Sequence, residues 1–158
     1  MALHFSKEEF SNRKNKVLKS MKEQNINALL IFRQESMYWL TGYDTFGYVF
    51  FQCLVLKDNG EIVLLTRAPD LRQAQNTSNI ENIKIWVDKD GSNPTDDLKE
   101  ILDELNLKGK NLGIEYEAYG LTGRNALKLN KSLDNYCAII DKSELITKLR
   151  VVKSNEEI

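Results

Sequence analysis

Histidine is almost missing from this 158-residue chain; His4, ahead of the first helix-forming stretch, is its single representative. A lone histidine near a terminus is expected to be exposed, serving neither as a ligand nor as a base. Catalysis by a nucleophile paired with a histidine base therefore has nothing to work with. Cysteine is nearly as scarce. Cys53 and Cys137 each sit in an apolar run and neither belongs to a Cys-x-x-Cys pair, so buried, reduced thiols are expected in place of a disulfide or a zinc site. Surplus charge is lacking too: 22 Lys and Arg against 23 Asp and Glu leave a net charge of −1. No field draws in nucleic acid or anionic lipid, and neither partner is expected. No apolar run approaches about 18 residues, and the N-terminal stretch is amphipathic and charged instead of basic then apolar. A cytoplasmic location is the default expectation. Glycine-rich phosphate loops and a Gly-x-Ser-x-Gly elbow are also absent.

What is present suits one globular domain, with 42% hydrophobic and 28% charged residues. Ser6-Lys7-Glu8-Glu9 predicts a capping box, the Ser6 hydroxyl accepting from the Glu9 amide and the Glu9 carboxylate from the Ser6 amide. Phe10, Val17, Leu18 and Met21 then mark one helical stripe, ending near Gln24-Asn25. Ile26 and Ala28 to Phe32 form a continuous apolar run, which predicts a strand covered on both faces. Ser36 is placed to cap a short helical turn carrying Met37, Tyr38 and Leu40. Phe50–Lys57 and Glu61–Thr66 predict two strands joined by Asp58-Asn59-Gly60, a hairpin turn. Pro69 suits the first turn of a helix reaching about Asn76. Ile83 to Val87 alternates like a strand with one buried face, and Thr95 is expected to cap a helix bearing Leu98, Ile101, Leu102 and Leu105. A strand at 111–115, a helix at 121–133 with Leu121, Ala126, Leu127 and Leu129, a strand at 136–140 and a helix at 141–150 complete the chain. The alternation predicts a three-layer α/β/α domain whose hairpin makes the sheet mixed.

The organising stretch is 38–51, which holds seven of the fourteen aromatics and is punctuated by Gly42 and Gly47. Aromatics on glycine hinges suggest a contact surface; burial in the core is the competing reading. Candidate chemistry is sparse. The pairs Glu8-Glu9, Asp96-Asp97 and Glu156-Glu157 fall in helix first turns, where capping and the macrodipole account for them. Glu115 and Glu117 lie at a strand end, the best remaining acid pair, yet without histidine they are expected to be structural. Ser154-Asn155-Glu156-Glu157 supplies a second capping box directly before Ile158, and the expectation is that this chain is the front part of a longer one.

Four segments resemble the N-terminal domain of the creatinase and prolidase group of metallohydrolases, which includes Xaa-Pro dipeptidases, aminopeptidase P and ectoine hydrolase. They are Phe10-Ser11-Asn12-Arg13, Ala28 to Ile31, Met37 to Tyr43, and Leu149 to Ile158 with its Arg-x-x-Lys-Ser-x-x-Glu-Ile pattern. The resemblance implies a ribonuclease-H-like mixed α/β fold. It divides the chain into residues 1–142, the domain itself, and 143–158, a linker helix and the start of a catalytic domain. It implies no catalytic residue, cofactor or metal ligand here; two divalent metal ions, manganese or zinc, would belong to the catalytic domain. It further implies a homodimer in which this domain leans over the neighbour's active site, with Tyr48 and Phe50 nearest a dipeptide or compact amide substrate and Tyr43 and Phe46 beside them. Creatinase has an arginine where Phe50 stands, so an Xaa-Pro dipeptidase-like parent is expected ahead of creatinase, with ectoine-type ring hydrolysis next and a stand-alone small-molecule binding or dimerisation module as the alternative outside the enzymes.

Overall fold

The computed structural model describes residues 3–158. Helix α1 (Lys7–Glu23) leads into β1 (Ala28–Ile31), α2 (Gln34–Thr41), β2 (Cys53–Lys57), β3 (Ile62–Arg67) and α3 (Ala68–Thr77). There follow β4 (Ile83–Trp86), α4 (Pro94–Glu104), β5 (Asn111–Ile114), α5 (Gly123–Leu133), β6 (Ala138–Asp141), α6 (Leu145–Val151) and a 3-10 turn at Asn155–Glu157. The strands form one sheet in the order β4-β3-β2-β1-β5-β6. It is mixed, as expected: β2 pairs antiparallel with β1 and β3, while the remaining pairs are parallel.

The apolar run of β1 is continuous because both faces are covered. Ala28, Leu30 and Phe32 face a core shared with α4 and α5 through Leu98, Leu102, Leu129 and Leu133. Leu29 and Ile31 face a second core with Val17 and Met21 of α1, Met37 and Leu40 of α2, and Ile146 of α6. Successive side chains of a strand point to opposite faces, so one four-residue strand feeds both layers. Three layers result, and the hairpin turns at Gly60 through a φ of +89°, which glycine adopts without a Cβ clash. Among the described residues no helix is long and apolar enough to cross a membrane.

Several local expectations change in the folded chain. Ser6 Oγ accepts from the Glu9 amide at 3.0 Å, but the Ser6 amide donates to Glu156 at 2.9 Å and Glu9 pairs with Arg13 at 2.8 Å instead. A long-range carboxylate has taken the reciprocal half of the box. Ser36 lies inside α2 and does not cap it; Asn93, not Thr95, precedes α4, with Pro94 as its first residue. Leu127 is exposed, away from the stripe of α5. Ile83 to Ile85 are only partly covered, because β4 is an edge strand. Strand β2 begins at Cys53 and not at Phe50, since residues 46–49 fold into a turn.

Candidate functional site: an aromatic turn pinned from below

Helix α2 ends at Gly42, whose φ is +83°, and a Cβ there would lie 2.8 Å from the Thr77 carbonyl. The chain can therefore reverse only with glycine at this point. Tyr43 turns inward and is wholly buried. Its hydroxyl meets Gln52 Oε1 and lies 3.3 Å from Thr66 Oγ1, and burial raises its pKa. Placed on the basis of resemblance beside the substrate-facing aromatics, Tyr43 is a buried support in this chain and faces no solvent.

The next residues are held by side chains from three directions. Thr45 Oγ1 lies 2.7 Å from both Asp70 and Gln73, and accepts from the Gly47 amide at 2.9 Å. Gln73 accepts from the Phe46 amide at 3.2 Å, while Gln52 Nε2 donates to the Gly47 carbonyl at 2.7 Å. Gly47 is required by this closeness: a Cβ would stand 2.2 Å from Asp70 Oδ1. Gly120 performs the same service from the β5–α5 connection, where a Cβ would be 2.3 Å from the Phe50 carbonyl. With the backbone tied down beneath, the side chains project outward. Phe46 is 88% exposed, Tyr48 47%, Val49 48% and Phe50 42%.

Tyr48 lies within the turn at 46–49 and Phe50 directly after it, both ahead of β2. Tyr48 packs edge-on to Tyr119 at 5.9 Å. Phe50 lies under the Arg67 guanidinium, 3.4 Å from its ring centroid, and Arg67 is itself held by Asp70 at 2.9 Å. Phe51 points into the core, edge-on to Phe32 at 5.3 Å.

Beside Tyr48 opens a cleft of about 700 Å³ whose lining includes Arg33, Glu117, Tyr119 and Arg150. The acid pair proposed from sequence divides here. Glu117 is a surface group paired with Arg33 at 2.8 Å. Glu115 is 1% exposed, accepts from the Arg33 amide at 3.0 Å and from Ser36 Oγ at 2.7 Å. Burial pushes its carboxyl up to about 7, against the opposing pull of those two donors. Its work is to tie the end of β5 to the start of α2, which fits a structural role.

Arg67, Asp70, Gln73 and Gln52, which position the turn, were not singled out from sequence. Each is an ordinary polar residue in its own segment, and only Gly47 carried a local signal.

Comparison with known proteins bears on what such a domain belongs to. An uncharacterised hydrolase/peptidase of Sinorhizobium fredii is 28% identical over 99% of this chain, and the ectoine hydrolase of Halomonas elongata is 28% identical over all of it. The chain spans 41% of the length of each of these relatives. Its fold is similar to that of a prolidase from Thermococcus sibiricus, with a TM-score of 0.77 and 20% identity over 94% of this chain and 38% of the other. An Xaa-Pro aminopeptidase structure from Streptococcus pyogenes gives 0.72 and 18%, covering 92% of this chain and the whole of that one. The family profile of the creatinase/prolidase N-terminal domain matches residues 13–152, and with most of its length inside that match the chain belongs to this family.

Proposed function

We propose that the chain is the non-catalytic N-terminal domain of a metal-dependent hydrolase of the Xaa-Pro dipeptidase or aminopeptidase kind. In this reading it helps two copies associate as a homodimer, and its 46–50 turn forms one wall of the neighbouring subunit's substrate pocket. The observation that carries it is the pinned turn itself. A run of exposed aromatics on a backbone fixed by Gln52, Asp70 and Gln73 is preorganised for contact, and exposed apolar patches on ordered backbone mark binding surfaces. Phe46, Tyr48 and Phe50 supply the wall, which suits a prolyl or other compact ring better than a charged group. Tyr43 supports them from beneath. Two divalent metal ions, manganese or zinc, are assigned in this proposal to a further domain. Among the described residues no three His, Cys, Asp or Glu side chains converge to hold an ion, so no step is assigned to a metal here.

The test uses the protein that carries this domain together with a catalytic one. Tyr48→Ala and Phe50→Ala should each raise KM or lower kcat for an Xaa-Pro dipeptide while leaving the unfolding midpoint nearly unchanged. Mixing a Tyr48→Ala subunit with one inactivated in its catalytic domain should restore activity in one of two sites. Unaltered kinetics in both variants would refute the wall. Ectoine-type ring hydrolysis is the second reading, favoured by the similarity to the Halomonas elongata enzyme over the whole chain; assaying both substrates side by side separates the two.

A further inference from the structure

The aromatic turn has a cation built against it. Arg67 ends β3 and directly precedes α3, and its guanidinium carbon stands over the Phe50 ring, 3.4 Å from the centroid. Stacking of this kind fixes the plane of a guanidinium while its N–H groups stay free to bond around the edge. Asp70 fixes the rest: its Oδ2 accepts from Arg67 Nε at 3.0 Å and lies 2.9 Å from Nη2. The other oxygen of the same buried carboxylate accepts from Thr45 Oγ1 at 2.7 Å, so Arg67 and the turn hang on one anion. A guanidinium carries donors on all three nitrogens, and Arg67 Nη1 has no acceptor among the described residues. Nor is Nη1 shut in, since the side chain is 14% exposed and this nitrogen is not one of the enclosed unpaired donors. Arg33, in the cleft beside Tyr48, is the contrast: Nε, Nη1 and Nη2 all donate, to Glu117 or Thr147.

We propose that Arg67 is the specificity-determining residue of the wall, selecting substrates whose compact ring bears a free carboxylate, such as the C-terminal prolyl residue of a dipeptide. The inference rests on the reading of the 46–50 turn as a substrate wall, and adds to it the group that separates a dipeptide from a longer peptide. With the ring against the aromatics, the carboxylate accepts from the N–H groups that Arg67 Nη1 and Nη2 keep beside Phe50. Such pairs are charge-assisted, and the planar fork matches the two oxygens. A peptide that continues past proline, or a C-terminal amide, puts a neutral group there with one acceptor oxygen and a donor turned toward donors. Asp70 offsets the charge of Arg67 at a distance, so a ligand gains only by making the contact itself.

The test uses the protein that carries this domain together with a catalytic one, and compares alanyl-proline with alanyl-prolinamide. The unaltered protein should give the higher kcat/KM for the acid. Arg67→Gln, which keeps an amide donor near Asp70 and removes the charge, should cut the acid-over-amide ratio about tenfold, the worth of a hydrogen bond to a charged group. Arg67→Lys keeps the charge without the fork and should fall between. A turn that had merely lost its shape would slow both substrates alike and leave the ratio where it was. A ratio near unity in the unaltered protein overturns the proposal without recourse to any variant, and so does a ratio that neither substitution changes. If neither substrate is cleaved, or if Tyr48→Ala and Phe50→Ala change nothing, the wall reading fails and Arg67 with it. If those two variants act while the Arg67 ratio stands, the assignment of Arg67 alone is wrong.

Discussion

Glu115 offers a test of the fold that reads directly in stability. Its carboxyl is raised from 4.5 to about 7 by burial, so between these values the folded state holds a proton that the unfolded chain has released. The stability that this carboxyl contributes is full below about 4.5 and is lost as pH rises through about 7. Over the interval from 4.5 to about 7, at about 1.4 kcal/mol per pH unit, the loss amounts to about 3 kcal/mol. For a chain of this size a urea slope of about 2 kcal/mol per molar converts the loss to a midpoint lower by about 1.5 M. Urea unfolding followed by circular dichroism at intervals from pH 5 to 8 should show this descent. Glu115→Gln removes the titration yet keeps an oxygen for the Arg33 amide and a donor for Ser36 Oγ, so its midpoint should stay level and exceed that of the unaltered chain at pH 8. A midpoint that is flat or rising from pH 5 to 8, or the same slope in the variant, would refute the reasoning.

Phe51→Ala should cost about 3 kcal/mol by opening a cavity against Phe32, whereas Tyr48→Ala, at a half-exposed position, should stay within about 0.5 kcal/mol; reversal of that order in denaturant titrations would mean that the turn, not the strand, holds the core. Gly120→Ala drives a Cβ toward the Phe50 carbonyl and should destabilise by about 1–3 kcal/mol, with faster exchange at the Phe50 amide; unchanged exchange would show that the connection yields freely. Glu156→Gln weakens the double contact with Ser6 and should speed hydrogen exchange across residues 154–158. The same release should follow as pH falls below the ordinary glutamate range, because the Ser6 hydroxyl and amide hold the Glu156 carboxyl below it; identical exchange in both proteins counts against the clasp.

How much of this was legible beforehand follows from the range of each signal. The hairpin at Asp58-Gly60, the stripe of α1 and the two-sided burial of β1 rest on spacings within a few residues, and those spacings survive folding. The hairpin within the α/β alternation pointed to the mixed sheet, and the motif segments carried the family. Contacts set by topology were out of reach. Ser6 was expected to close its box with Glu9, three residues away, but the fold brings Glu156 to the same amide from 150 residues away. Ser36 was expected to cap α2, but β5 lies beside β1 in the sheet and delivers Glu115 to its hydroxyl. Tyr48 and Phe50 were placed by the resemblance alone; in the fold the turn at 46–49 sets them ahead of β2, outside any strand period. Which aromatics lie outside was likewise decided in three dimensions. Gln52, directly ahead of β2, and Asp70 and Gln73 of α3 hold the turn's backbone, and Tyr43 alone finds buried partners for its hydroxyl. Sequence determined the elements, because helix and strand periods are written in neighbouring residues; tertiary structure decided which polar groups meet, because those partners are neighbours only once the sheet has assembled.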